Sequence, residues 1–224
     1  MKTMKTRNTL AGTTLFSLVL SAAVLILLGG CSKAYYSVWE KLGKEKRHLL
    51  IDHVEDVQQS QTKAKEEFKD ALTRIKELTA FEGGELETFY NKIKDSYEDC
   101  DSRAGDIEHR IKEVKEIAAD LFKEWEGEIN QIKDARLKTS SQRSLRDARK
   151  RYAKLEQVME RSTRGMYPVL DTLNDYMLYL KHNLNAKAVG ALGGEVASIE
   201  KDIAKLIKDM NLSINEAEQF ISSF

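Results

Sequence analysis

The chain has 224 residues, of which 36 are basic and 36 acidic, so its formal net charge is zero. The single Pro argues against a loop-rich or all-β chain, because turns use Pro freely. Charged residues make up 32% of the sequence, which together with the scarcity of Pro favours long helices. The balanced charge argues against a nucleic-acid-binding protein, and two Cys exclude a disulfide framework or a four-Cys zinc site.

The first 30 residues have the pattern of an export signal. Lys2, Lys5 and Arg7 precede an apolar run from Leu10 to Leu28, and no acidic residue occurs in this stretch. A basic start, an apolar middle and small residues at the end are typical of a secretory signal peptide. We therefore expect residues 1–30 to be a signal peptide.

The apolar run ends in a tetrapeptide that resembles the bacterial lipobox: Leu28, Gly29, Gly30 and Cys31. The resemblance implies cleavage before Cys31, a diacylated thiol, and acylation of the new amino terminus, for example with palmitate. The alternative is an uncleaved transmembrane anchor with an unmodified Cys31 thiol, since about 19 apolar residues can span a bilayer. Either interpretation exports the rest of the chain.

Ser32 follows the predicted lipidation site, where Asp would be the familiar inner-membrane retention signal of bacteria with two membranes. We therefore expect a lipid anchor in the outer membrane, on its periplasmic side. Loss of the three cations of the signal peptide leaves 33 basic and 36 acidic residues in 31–224, a net charge of −3.

Apolar residues recur at alternating steps of three and four through most of 31–224, and Gln61 is the one polar interruption of the first such seam. This spacing, with charge at the other positions, predicts amphipathic helices. No segment alternates with a period of two, so we expect an all-α fold. The expected architecture is one domain, an elongated antiparallel bundle or coiled coil with helices at about 35–80, 85–135, 141–190 and 195–222.

Gly-rich segments are expected to separate the first helix from the second and the third from the fourth. These are Gly83-Gly84 and Gly190–Gly194, since adjacent glycines permit the positive φ that ends a helix. The second segment is small and apolar. It is either a helical-hairpin loop or a distal contact point that could insert into a membrane.

The break between the second and third helices is less distinct. Residues 138–142 contain Ser and Thr that can cap a helix, and Ser144 with Asp147 resembles a capping box. One continuous helix through this point is left open. Pro168 should bend the third helix, because its ring clashes with the carbonyl four residues earlier.

No motif of an enzyme or a metal site occurs in the sequence. His48, His53, His109 and His182 are scattered, and there is no HExxH, GxSxG or phosphate-binding loop. We expect no catalytic residues, no metal and no cofactor. Cys100 lies in the apolar seam, so it is either a small buried hydrophobe or the source of an intermolecular disulfide in a homo-oligomer.

A basic cluster occupies residues 133–151. We expect these cations to contact anionic membrane headgroups, because helix one leaves the membrane and helix two returns towards it. The alternative is a solvated turn whose cations pair with acidic neighbours. The residues singled out are Arg136, Lys138, Arg143, Arg146, Arg149, Lys150 and Arg151.

The string Tyr35–Arg47, YYSVWEKLGKEKR, is the most distinctive part of the chain. It resembles the opening motif of a family of uncharacterised bacterial helical lipoproteins, domain of unknown function 2959. The resemblance implies a helical envelope lipoprotein and supplies no activity or site residues.

These features together predict a membrane-anchored envelope lipoprotein with a structural, scaffolding or protein-binding coiled-coil domain. Its expected partners are the membrane, through the lipid anchor, and an envelope protein. A homo-oligomer is left open, and no nucleic acid is expected. The alternative is a membrane-active helical protein that binds or perturbs lipid through the basic turn or the Gly-rich loop.

Overall fold

The computed structural model describes residues 45–79, 86–183 and 185–223. They form α1 (Lys46–Thr79), α2 (Leu86–Gln131), α3 (Ala135–His182), α4 (Ala186–Gly193) and α5 (Val196–Ser222). The described part of the chain contains no strand, and the predicted all-α bundle is confirmed. The predicted signal peptide, the lipobox with Cys31, the motif from Tyr35 and the Gly83-Gly84 turn lie outside the described residues.

Consecutive long helices run antiparallel, because residue numbers rise on one helix as they fall on its neighbour. The contacts that establish this are Arg110–Asp56 and Arg74–Ser96 between α1 and α2, Lys115–Glu160 and Trp125–Ser141 between α2 and α3, Arg161–Asp209 and Lys154–Glu216 between α3 and α5, and Gln58–Glu218 and Lys76–Glu200 between α1 and α5. The order around the bundle is therefore α1, α2, α3, α5, which is the topology predicted for four long helices.

The apolar seams form the core almost as the spacing predicts. In α1, for example, every seam position from Leu50 to Ile75 is buried, and Gln61 is only 1% exposed. The seam drifts at the end of α2, where Leu121 and Trp125 are partly exposed and Phe122 and Ile129 are buried instead. A strict alternation of three and four slowly rotates around a straight helix of 3.6 residues per turn, so the predicted face is lost after many turns.

The break between α2 and α3 is earlier than expected. Residues 132–134 separate the helices, so the prediction of a break at 138–142 was wrong, and so was the alternative of one continuous helix. Asp134 caps α3 by accepting hydrogen bonds from the backbone N–H groups of Arg136 (2.9 Å) and Leu137 (3.0 Å). Ser144 is inside α3 and its hydroxyl donates to the Ser140 carbonyl, so the expected capping box does not form.

The third helix ends at His182, eight residues before its expected end at 190, and a short helix replaces the expected Gly-rich loop. Asn185 caps α4 by accepting a hydrogen bond from the Ala188 N–H. Ala188, Val189 and Leu192 are buried, because α4 turns its apolar side chains inward. Pro168 lies inside α3, and the helix continues to His182. The bend expected there stays a prediction.

None of the helices in the described part of the chain is both long and apolar enough to cross a bilayer.

Candidate membrane-contact surface

The end of α2, the turn and the start of α3, residues 121–151, form a helical hairpin that we call the hairpin tip. His53 of α1 lies beside Glu113 of α2, so the first residues of α1 lie near Asp120. At the end of α5, Phe220 packs against Tyr152. Of the described helices, only α2 and α3 therefore extend beyond the ends of α1 and α5. The extension from Asp120 to Gln131 is about 16 Å at roughly 1.5 Å per residue.

The side chains of Trp125 and Arg149 hold the helices of the hairpin tip together. The Trp125 indole Nε1 donates to Ser141 Oγ at 3.1 Å, which accounts for the partial exposure of this aromatic residue. Arg149 forms an ion pair with Glu126 at 2.8 Å, donates to the Phe122 carbonyl at 3.4 Å and covers the Phe122 ring at 5.8 Å. The cation of Arg149 is thus part of the packing of the hairpin tip.

The other basic residues of the cluster present their charges outward. Arg136, Arg143, Arg146, Lys150 and Arg151 are exposed, and Lys138 is half-buried. Arg136, Arg143 and Lys150 are spaced by seven residues, so they lie in one line along α3. This line is on the side opposite Leu145, Ala148 and Tyr152, which are buried.

The pairing of arginines differs between the hairpin tip and the rest of the bundle. Outside the tip, described arginines have partners: Arg74 with Ser96, Arg103 with Glu67, Arg110 with Asp56, Arg161 with Asp209 and Arg164 with Glu160, and Arg47 also interacts. Within the described residues, the side chains of Arg136, Arg143, Arg146 and Arg151 make neither an ion pair nor a hydrogen bond. Arg149 therefore pairs with an acidic neighbour, as in the alternative considered from the sequence, whereas these four exposed arginines do not.

An apolar side chain lies at the far end of this surface. Leu137 is 64% exposed, although it is flanked by Arg136 and Lys138. Because Asp134 fixes the first turn of α3, the backbone that carries Leu137 is held in helical geometry. Leu137 was not singled out from the sequence, because it lies outside the apolar seams, in the segment expected to be a turn.

A groove with a volume of about 820 Å³ runs between the middle parts of α2 and α3. Ile111, Ala119 and Thr163 line it, and Gly105 leaves space beside α2, since a Cβ there would meet nothing within 4 Å. The small residues Gly105 and Ala119 in α2 were the available sequence signal for this groove.

Several charged and polar groups on the rim of the groove pair with one another. Lys115 approaches Glu160 at 2.7 Å and Arg164 approaches it at 3.2 Å, and together they lower the pKa of the Glu160 carboxyl, Lys115 having the larger effect. Tyr167 donates its hydroxyl hydrogen to Glu108, which raises the pKa of Tyr167 to about 12. The Lys115–Glu160 and Tyr167–Glu108 contacts join α2 to α3 along the groove.

Of the remaining chemical candidates from the sequence, two histidines lie beside one carboxylate, two histidines lie elsewhere, and the cysteine is buried. Glu113 approaches His53 at 3.6 Å and His109 at 3.8 Å, whereas His48 and His182 are exposed elsewhere. No group of three or more His, Cys, Asp or Glu side chains within the described residues could hold a metal ion. Cys100 is fully buried in α2, and burial raises the pKa of its thiol to about 12.

A family model described as "Protein of unknown function (DUF2959)" matches residues 35–224. No curated protein and no solved structure matches the chain.

Proposed function

The chain therefore belongs to the DUF2959 family, and from that premise we propose that it is a lipid-anchored helical scaffold of the bacterial cell envelope. The observation that carries the proposal is the sequence Leu28-Gly29-Gly30-Cys31 at the end of an apolar run. Its thiol accepts the diacylglyceryl group, and cleavage before Cys31 frees the amino group for a further acyl chain. The bundle then remains attached to the outer membrane on its periplasmic side, which Ser32 after the anchor favours.

Lipid at Cys31 is sufficient for a stable attachment. Each buried methylene contributes about 0.8 kcal/mol, and two or more acyl chains are needed for an anchor that does not readily dissociate. The three chains implied by the lipobox meet that requirement.

The bundle supports a structural rather than an enzymatic role in this proposal. α3 has 48 residues and is about 72 Å long at roughly 1.5 Å per residue. The domain therefore provides a long surface, and the residues on it are largely charged. Ion pairs between helices, such as Lys154–Glu216 at 2.5 Å, brace that surface from one helix to the next. A long surface of this kind suits the binding of an envelope protein along its side.

Metabolic labelling with an alkyne analogue of palmitate tests the anchor. The wild-type protein should incorporate the label and remain with the membrane fraction. Cys31→Ser should lose the label, whereas the matched variant Cys100→Ser should keep it, because Cys100 is buried in the bundle. Equal labelling of wild type and Cys31→Ser would contradict the proposal.

Photo-crosslinking in intact cells tests the scaffold. A crosslinker at exposed Lys112, on the rim of the α2–α3 groove, and another at exposed Lys208 on α5 sample two sides of the bundle. A scaffold should give a discrete crosslinked protein from at least one side. If neither position is crosslinked to another protein, although the variants are expressed and carry the lipid label normally, a protein-binding role is contradicted.

A membrane-active protein is the second candidate, and one observation favours it: the unpaired cations of the hairpin tip. The Gly-rich segment does not add support, because Ala188, Val189 and Leu192 pack into the bundle. A membrane-active protein should release dye from vesicles, whereas a scaffold should not.

A further inference from the structure

Several exposed cations on α3 in the hairpin tip lie close together, and they form no ion pair within the described residues. Arg143 and Arg146 are three residues apart, and Arg146 and Lys150 are four apart, so these like charges are neighbours on α3. Asp147 is close in sequence, but it forms no ion pair within the described part of the chain. Like charges at this spacing cost a few tenths of a kcal/mol each, roughly 0.2–0.5, and an anion outside the bundle would remove that cost.

The spacing of the charges fits an extended anionic surface. Arg136, Arg143 and Lys150 extend along α3 for 14 residues, about 21 Å at roughly 1.5 Å per residue. A single phosphate would be met by side chains that converge on one point. A line of outward cations instead meets many phosphates at once, as the headgroups of an anionic bilayer present them.

Leu137 beside the cations favours a lipid surface over a free phosphate. It is 64% exposed at the far end of the hairpin tip, between two cations. Helices that bind the membrane interface combine basic side chains with apolar ones that enter the region between headgroups and acyl chains. Ile132, half-buried in the adjoining turn, adds apolar surface on the same end of the hairpin.

The hairpin tip is also at the end of the bundle where α1 begins. α1 and α3 run parallel, because both are antiparallel to α2. The hydrogen bond between Gln61 and Ser162 sets their register, so the first turn of α1 is level with the basic part of α3. Lys46 is 15 positions after Cys31 in the sequence, so the two residues are at most about 54 Å apart at roughly 3.6 Å per residue. A membrane that holds Cys31 is therefore within reach of this end of the bundle.

We propose that the hairpin tip binds the phosphate headgroups of anionic lipids, through Arg136, Arg143, Arg146 and Lys150 with Leu137 between the headgroups. This second contact would hold the bundle at a fixed orientation on the membrane to which Cys31 is anchored. The orientation rests on the proposed function, whereas the attraction between the tip and anionic lipid does not require the anchor.

The test uses the full lipidated protein, reconstituted in vesicles of phosphatidylethanolamine with or without phosphatidylglycerol. A fluorophore on Thr139→Cys reports on the hairpin tip, and one on Ser198→Cys reports on the opposite end of the bundle. Both carry Cys100→Ala, and both positions are exposed. A nitroxide on the lipid headgroups should quench the tip fluorophore with phosphatidylglycerol and much less without it, and should leave the distal fluorophore unquenched.

A matched pair of charge variants isolates the cluster. The first variant replaces four cations of the tip: Arg136→Gln/Arg143→Gln/Arg146→Gln/Lys150→Gln. It should weaken the association of the tip with the lipid by about tenfold or more and reduce the quenching accordingly, since each cation near the surface strengthens association on the order of fivefold. Lys63→Gln/Lys201→Gln/Lys205→Gln/Lys208→Gln removes the same charge from exposed positions elsewhere and should leave the quenching unchanged. Added salt should weaken the wild-type contact, which tests the proposal even if the first variant folds poorly.

Three results would overturn the proposal: equal quenching at both ends, equal quenching without phosphatidylglycerol, or a tip signal insensitive to both salt and the four substitutions. Failure of the anchor gives a different result, since the protein would then not stay with neutral vesicles. In that case flotation with vesicles containing phosphatidylglycerol decides the question. Salt-sensitive flotation that depends on the four cations supports the tip contact, and its absence refutes it.

Discussion

Gln61 on α1 donates a hydrogen bond of 2.7 Å from Nε2 to Ser162 Oγ on α3, across the interior of the bundle. Both side chains are buried, with exposed fractions of 1% and 0%. Ser162 donates in turn to the Met159 carbonyl at 2.9 Å, whereas Gln61 Oε1 has no hydrogen-bond partner within the described residues. The pair fixes the alignment of two parallel helices and leaves one buried polar atom unsatisfied.

Replacing Gln61 with Leu should therefore stabilise the bundle. The substitution removes an unsatisfied buried oxygen, which costs about 1–3 kcal/mol, and fills the site with apolar atoms. Thermal melting should show a higher Tm for Gln61→Leu than for the wild type. Gln61→Ala, which leaves a cavity, should melt below Gln61→Leu. A lower Tm for Gln61→Leu than for the wild type would mean that its hydrogen bond contributes more than the unsatisfied oxygen costs.

Ile111 tests the predicted core of α2. It is 5% exposed, so Ile111→Asp would bury a charge with no partner and should reduce the free energy of unfolding by about 3 kcal/mol or more. Urea denaturation measures the loss. Lys112→Asp, at the exposed position next to it, introduces the same side chain and should have a much smaller effect. Similar losses at the two positions would contradict the assignment of this face to the core.

Asp134 tests the start of α3. Asp134→Ala removes the acceptor for two backbone N–H groups and should cost about 0.5–2 kcal/mol, mostly as fraying of the first turn. Hydrogen exchange at Arg136 and Leu137 should become faster, whereas Asp134→Asn should retain most of the protection. If Asp134→Ala leaves exchange unchanged, another group caps the helix.

Cys100 should make folding stability depend on alkaline pH. Burial raises its pKa from an ordinary value of 9.0 to about 12, so above pH 9 the unfolded chain loses a proton that the folded chain keeps. This contribution to stability is complete below pH 9 and is lost as the pH rises towards 12. Urea midpoints measured over that range should fall less steeply for Cys100→Ala than for the wild type. Parallel slopes would show that the thiol ionises equally in both states.

Two glycines inside helices should respond differently to substitution. A Cβ at Gly127 would meet nothing within 4 Å, so Gly127→Ala should stabilise α2 by about 0.5–1 kcal/mol through its higher helix propensity. At Gly165 a Cβ would lie 3.3 Å from Leu206 Cδ1, so Gly165→Ala should gain less or lose stability. Differential scanning calorimetry compares the two, and a larger gain at Gly165 would contradict this packing of α3 against α5.

The order of the residues alone predicts the helical class, the four long amphipathic segments and nearly all of the core face. These properties depend on a local period of 3.6 residues, which is present in the order of the residues. Prediction from this period fails near the ends of helices. Phe122 rather than Leu121 is buried there, and Asp134 rather than Ser144 caps α3. Several residues could cap or pack there, and neighbouring helices select among them.

The packing of α2 against α3 shows which members of the basic cluster have no partner within the described residues and can meet an external anion. The helical period places Arg149 closer to the apolar seam than Arg146, but only the packed helices show that Arg149 meets Glu126 on α2 while Arg146 faces outward without a partner in the described part of the chain. The exposure of Leu137 and the α2–α3 groove were decided in the same way. Each depends on the register of two helices against one another, and that register is set by side-chain packing between segments far apart in the chain.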